Sequence, residues 1–297
     1  MNLRRLIIAA ALVVSAATPA QAQSPQMPAG ELISAVVANE LRDRVQQRKW
    51  MYVIEKREGN QSLTEEQVET KDGPLYRVLA FDGIPLTPDQ RQQDNARIRR
   101  LLNDTGQQSK LKQQYEDDEQ KLERLMGVMP TAFLYDYDGV DGNFVRLKFR
   151  PDPNYKPPTY ETRVVHSLAG IVLIDSQQKR LAKLSGQLVD RVQFGYGIFG
   201  HIENGGTIEI GRGQVGPLQW KTTLINVRLS GRMMLFKTVS KQQYETRSNF
   251  RAVPGDLSLS EANELLASSI LQAPSPGIQH SDPATTSLNL PQEFRPE

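Results

Sequence analysis

Cysteine is absent from all 297 residues. Disulfides and thiolate metal sites are therefore excluded together, and the chain must be stabilised by an apolar core. Histidine is scarce: His166, His201 and His280 lie far apart, with no second histidine at ligand spacing, which argues against a metal centre. No nucleophile elbow, zinc-protease helix or phosphate-binding glycine loop occurs. Gly195-Tyr196-Gly197 and Gly211-Arg212-Gly213 read as bends and turns between strands, because a phosphate loop needs a strand before it and a helix after it. No catalytic residue, metal or cofactor is assigned, and the chain reads as non-enzymatic. A hydrolase assembled from dispersed carboxylates is the third-ranked alternative.

A long apolar run is also missing. Met1-Asn2-Leu3-Arg4-Arg5 is followed by apolar residues from Leu6 to Ala17 and then by Ala20-Gln21-Ala22. This is the charged, apolar and small-residue plan of a secretory leader, with cleavage expected after Ala22. The run falls short of the roughly 18 to 20 residues that span a bilayer, so a retained anchor is the weaker reading. No cysteine follows the cleavage site for lipid attachment, and a periplasmic or secreted location is expected. Losing Arg4 and Arg5 lowers Lys+Arg from 36 to 34, equal to the 34 Asp+Glu. A near-neutral mature chain gives no nucleic-acid footprint.

What is present is a pattern of short elements. Glu31 to Arg48 carries Leu32, Val36, Val37, Leu41 and Val45 at helical spacing. Trp50-Met51-Tyr52-Val53-Ile54 is apolar on both parities, as in a strand covered on both faces. Gln67 to Lys71 and Leu75 to Phe81 flank Asp72-Gly73-Pro74 as a hairpin. Thr87-Pro88-Asp89-Gln90 starts a helix, with Thr87 as N-cap and Gln90 placed to close a capping box. Helix is expected to Met126, divided near Gly106, with a narrow stripe of Ile98, Leu101, Leu102, Leu111, Tyr115, Leu122, Leu125 and Met126. Glu116-Asp117-Asp118-Glu119 is read as a solvated face, with an acidic partner or cation site as the alternative.

From Thr131 the period becomes that of β-structure. Strands are expected at Phe133 to Tyr137, Phe144 to Phe149, Glu161 to Ile174, Arg180 to Val189, Val192 to Tyr196, Thr207 to Ile210, Trp220 to Leu229, Met233 to Val239 and Tyr244 to Phe250. Turn clusters such as Asn204-Gly205-Gly206 and Ser230-Gly231 separate them. The fold class that follows is a β-rich α+β protein, a curved antiparallel sheet or half-barrel with covering helices. Ser258 or Ser260 caps a last helix to about Ser268. The expected organisation is a leader at 1–22, a single domain over 23–271 with a helical insertion at 87–126, and a disordered tail at 272–297. The most site-like string is Asp136-Tyr137-Asp138-Gly139-Val140-Asp141-Gly142-Asn143. It fits a hairpin turn better than a calcium loop, since Val140 stands where a ligand is needed.

Gly170-Ile171-Val172-Leu173-Ile174-Asp175 followed by Lys179-Arg180-Leu181-Ala182-Lys183-Leu184-Ser185-Gly186 resembles the periplasmic lipoprotein-carrier and outer-membrane lipoprotein-sorting superfamily. The strands to Phe250, the leading helix and the strand at Trp50 to Ile54 fit the same plan, over about half of the mature chain. The resemblance implies a half-barrel around helices with an apolar concave face that receives acyl chains. This chain departs from those carriers in its 87–126 insertion and its tail.

The function expected is binding of a lipid, a lipoprotein acyl chain or another apolar ligand. The candidate ligand-binding residues are the large strand side chains Trp50, Tyr52, Phe149, Trp220, Leu224 and Phe236, for which plain core packing is the competing explanation. The alternative is an envelope scaffold that docks a protein partner through the charged insertion.

Overall fold

The computed structural model describes residues 27–45, 48–194, 200–233 and 237–272. The expected leader, the tail beyond Gln272, Phe236, His280 and Gly195-Tyr196-Gly197 lie outside the described residues.

The chain opens with helix α1 (Ala29–Val45), then β1 (Lys49–Glu58), β2 (Gln61–Val68), β3 (Leu75–Phe81) and the short β4 (Ile84–Pro85). Helices α2 (Pro88–Asn103) and α3 (Thr105–Ala132) follow, then β5 (Phe133–Asp141), β6 (Phe144–Pro151) and α4 (Tyr160–His166). The second half holds β7 (Leu168–Asp175), β8 (Arg180–Leu188), β9 (Val192–Phe194), β10 (Gly200–Ile202), β11 (Thr207–Gln214), β12 (Trp220–Met233), β13 (Lys237–Val253) and α5 (Leu259–Gln272).

Among the described residues thirteen strands form one antiparallel sheet in the order β4-β3-β2-β1-β13-β12-β11-β8-β7-β6-β5, with β10 on β12 and β9 on β10. The end strands β4 and β5 do not pair with each other, so the sheet is open. A β-rich antiparallel α+β architecture is thus what the strand pattern predicts.

Local chemistry explains many boundaries. Thr87 Oγ1 accepts from Gln90 N at 3.3 Å while Gln90 Oε1 accepts from Thr87 N at 2.8 Å, the reciprocal cap expected for α2. Ser258 and Glu261 do the same for α5, at 3.3 and 2.8 Å. The break between α2 and α3 falls at Asp104, whose carboxylate caps Gln107 N at 3.0 Å, and not at Gly106. Two tight turns, Gly59-Asn60 and Asp82-Gly83, close the β1–β2 and β3–β4 hairpins through left-handed φ angles of 60° at Gly59 and 50° and 74° at Asp82 and Gly83.

Several expectations are corrected. Glu161 to His166 is helix, because Thr159 and Thr162 close a capping box, and β-structure starts only at Leu168. Helix α3 runs past Met126 to Ala132. The β2–β3 hairpin is present, but β2 begins at Gln61 and ends at Val68, with Glu69 to Pro74 as its connection. The strand expected at Met233 to Val239 is divided, since Met233 ends β12 and pairs with Lys237 of β13, and β13 then runs unbroken through Lys241-Gln242-Gln243 into the stretch expected at Tyr244 to Phe250. Ser230-Gly231 is strand, and a Cβ on Gly231 would stand 2.3 Å from the His201 carbonyl oxygen, so the glycine admits β10. Gly211-Arg212-Gly213 also lies within a strand, where β11 carries a register shift.

Register assigns the two faces of the sheet, because directly opposed residues share a face and neighbours in one strand alternate. One row of opposed residues crosses the whole sheet: Tyr137, Leu147, Val172, Leu184, Ile210, Ile225, Glu245, Lys56, Leu63, Phe81 and Ile84. At the β5–β8 end this face is covered by Leu32, Ile33 and Val36 of α1 and by Ala132, in a core with Leu147, Phe149, Leu168, Val172, Ile174 and Leu188. A second core lies on the opposite face at the other end. There Met51, Val68 and Leu75 pack against Ile98 of α2 and Leu259, Ala262 and Leu266 of α5. The helical insertion therefore covers the face of β1 opposite to Trp50 and Tyr52.

Candidate binding face

The face carrying the cross-sheet row, here the inner face, holds most of the candidate residues. Trp50, Tyr52 and Ile54 alternate on β1 and form a small buried cluster with Val215 and Phe250. Tyr52 and Phe250 place their ring centroids 5.0 Å apart, and Trp50 meets Phe250 edge-on at 6.4 Å. Phe149 lies in the α1-covered core at the far end of the sheet, opposite Gly170. Trp220 is buried near the end of α1, its Nε1 donating to Gln178 Oε1 at 2.9 Å. Leu224 stands opposite Gly211 on the other face, since its neighbour Ile225 belongs to the row. The structure thus brings Trp50 and Tyr52 together, places Phe149 in the separate α1-covered core and turns Leu224 away, while Trp220 belongs to neither cluster. Phe236 lies outside the described residues.

Where the row reaches β13, β1 and β2, its chemistry becomes polar. Glu245 and Lys56 oppose each other, yet each carries its own partner. Lys56 pairs with Glu65, and Arg247 Nε donates to Glu245 at 2.6 Å. Both carboxylates are buried. Tyr52 accepts from Gln67 Nε2 at 2.6 Å, and the Arg247 guanidinium lies 5.6 Å from the Tyr52 ring centroid. Burial pushes the Tyr52 phenol far above its ordinary range, with the Glu69 charge adding to the shift. Tyr52 thus remains a neutral hydrogen-bonding group.

A second charged cluster fixes α1 to the sheet. Glu40, one turn beyond Val36 on the buried stripe of α1, pairs with Arg212 of β11 and lies 3.6 Å from Arg180 of β8. Arg180 also pairs with Asp43 and donates to the Asn39 carbonyl at 2.7 Å, while Arg212 donates to the Trp220 carbonyl at 2.7 Å. Burial holds the Arg180 pKa below its ordinary value, the Glu40 charge offsetting only part of the drop. No reading of apolar periodicity singled out these residues. The available signal was a carboxylate on the apolar stripe of a predicted helix.

At the turn end of β1 and β2 the inner face opens into a cleft of about 680 Å³. Its floor includes Lys56, Leu63 and Phe81 of the row together with Gln243. None of the sequence-predicted residues lines it.

The remaining candidates resolve simply. Asp138 pairs with Arg146 at 2.9 Å and Lys148 at 2.8 Å, so the acidic string is a hairpin end held by basic neighbours. Hydrogen bonding from Lys148 and the Arg146 charge hold its carboxyl below the ordinary range. His166 ends helix α4 and not a strand, with Nε2 3.1 Å from the Asp152 carbonyl oxygen. His201 contacts Glu203 at 2.7 Å. Glu116, Asp117 and Asp118 are exposed, while Glu119 pairs with Arg44. Among the described residues no cluster of His, Asp or Glu is arranged to hold a metal ion, and no helix is long and apolar enough to cross a membrane. No protein-family model, curated protein or solved structure matches the chain.

Proposed function

We propose that this protein is an exported, non-catalytic binder of an elongated apolar ligand, a lipid or a lipoprotein acyl chain, held on the inner face of a sheet curved into a half-barrel. The supporting observation is the cross-sheet row, apolar at every position except Glu245 and Lys56. An open sheet of this many strands coils, and α1 covers this face at the β5–β8 end. The leader-like N-terminus and the resemblance to the lipoprotein-carrier superfamily favour a periplasmic setting and an acyl chain.

Native mass spectrometry of the chain purified from its own cells, with displacement of a fluorescent fatty acid, tests the proposal. Co-purifying lipid mass or saturable displacement is expected. A ligand-free chain that ignores the probe overturns it. The exposed carboxylates Glu116, Asp117 and Asp118 on α3 favour a second reading, an envelope scaffold that docks a protein partner. Cross-linked partners that vanish when 87–126 is deleted, with fatty-acid binding retained, would select it.

A further inference from the structure

The cleft at the turn end of the sheet has a chemistry that an acyl chain does not use. Four carboxamides, Gln61, Gln90, Gln242 and Gln243, line the larger cleft of about 680 Å³. A smaller one of about 240 Å³ adds Asn226 and shares Arg57, Gln242 and Gln243 with it, so the clefts flank one ridge. One exposed aromatic ring lines each cleft: Phe81, at 43% exposure, the larger, and Tyr244, at 39% and on the other face of the sheet, the smaller. Among the described residues, the only other aromatic side chain so exposed is Tyr160.

Charge narrows the ligand class. Lys56 is committed to Glu65, which leaves Arg57 beside Glu58 and Asp82 in the larger cleft. Asp82 already accepts from Ser62 N at 2.6 Å. With no surplus of either sign, neither a phosphate nor a cation is favoured. A purely apolar occupant would strip water from the amides and leave them unpaired. A polyol fits: each hydroxyl donates and accepts, each carboxamide does the same in one plane, and the C–H face of a sugar ring packs on an exposed aromatic ring. A lining of a few polar groups beside aromatic surface is the usual anatomy of a small-ligand site.

We infer that the larger cleft, lined by Phe81, Gln61, Gln90 and Gln243, binds an oligosaccharide. The inference stands apart from acyl-chain binding, which concerns the α1-covered stretch of the inner face.

The full chain is applied to a glycan array, and the strongest hit is titrated calorimetrically. Binding about tenfold weaker or worse is expected for Phe81→Ala and for Gln243→Ala, on the scale of a lost ring contact or hydrogen bond. Tyr160→Ala is expected to bind as wild type. Thermal melting of each variant separates lost binding from lost folding. An empty array, a hit indifferent to both groove variants, or capture of casein peptides in place of any glycan overturns the inference. Fatty-acid displacement on the same preparation reads the acyl-chain proposal separately.

Discussion

The carboxylate of Glu40 on α1 and the guanidinium of Arg180 on β8 face each other across 3.6 Å, both buried, with Arg212 on the same carboxylate. Removing one partner from such a cluster leaves uncompensated buried charge, which costs about 3–5 kcal/mol. Glu40→Ala is therefore expected to lower the urea midpoint strongly. Replacing Glu40, Arg180 and Arg212 together by Leu and Met should recover most of the loss. A Glu40→Ala protein within about 1 kcal/mol of wild type would show that α1 is held by its apolar stripe alone.

Gly170 and Gly186 oppose each other on β7 and β8, and their substitutions should differ in severity. A Cβ on Gly170 would lie 2.0 Å from the Ser185 carbonyl oxygen, a backbone atom, whereas one on Gly186 meets Phe149 Cζ at 3.3 Å. Overpacking typically costs about 1–3 kcal/mol. Gly170→Ala is expected at or above the top of that range and Gly186→Ala near the bottom. Equilibrium urea unfolding checks the order, and equal effects would contradict it.

The β3 edge is sealed by side chains of α2. Asp94 Oδ2 accepts from Val78 N at 3.3 Å, and Arg97 donates to the Tyr76 carbonyl at 2.7 Å while pairing with Asp94 at 2.7 Å. Asp94→Ala frees this edge and strips Arg97 of its partner. A loss of roughly 1–3 kcal/mol is expected, with concentration-dependent self-association by light scattering as the edge becomes available to another chain. Asp94→Asn, which keeps an acceptor, should associate less.

Acid should destabilise the protein through specific carboxylates. Asp138, hydrogen-bonded by Lys148, and Glu261, hydrogen-bonded by Ser258, both have folded pKa values below their ordinary ones. A depressed folded pKa gives stability that is present above the unfolded value, about 4, and lost as the pH falls through the folded value. The urea midpoint should fall below about pH 4, and more gently in an Asp138→Asn, Glu261→Gln variant. An unchanged acid limb would assign the loss to other groups.

Much of the secondary structure was legible because its causes are local. The Thr87–Gln90 and Ser258–Glu261 caps lie within four residues of sequence, and the strand starts at Leu75 and Phe144 follow from the turn residues before them. The misread places share another cause. Gly231 resembles a turn glycine, but its lack of a side chain serves the backbone of β10 passing beside it. The α4 capping box uses Thr162 where Glu or Gln is the familiar signal, and the helix is one of only seven residues. The candidate site was less legible. Large apolar side chains drew attention to Trp50, Tyr52, Phe149 and Trp220, all buried in packed clusters or under α1. The glutamines of the cleft carry no periodic signal.

By itself, the sequence determined an antiparallel β-rich protein with capped helices and no disulfides, since alternation, capping and composition act over a few residues. Only the tertiary structure decided that Lys56 would face Glu245, that Glu40 would meet Arg180 and Arg212, and that Phe81 would join Gln61, Gln90 and Gln243 in one cleft. Each depends on the packing of elements far apart in the chain, and a shift of one residue in a strand would send its side chains to the opposite face.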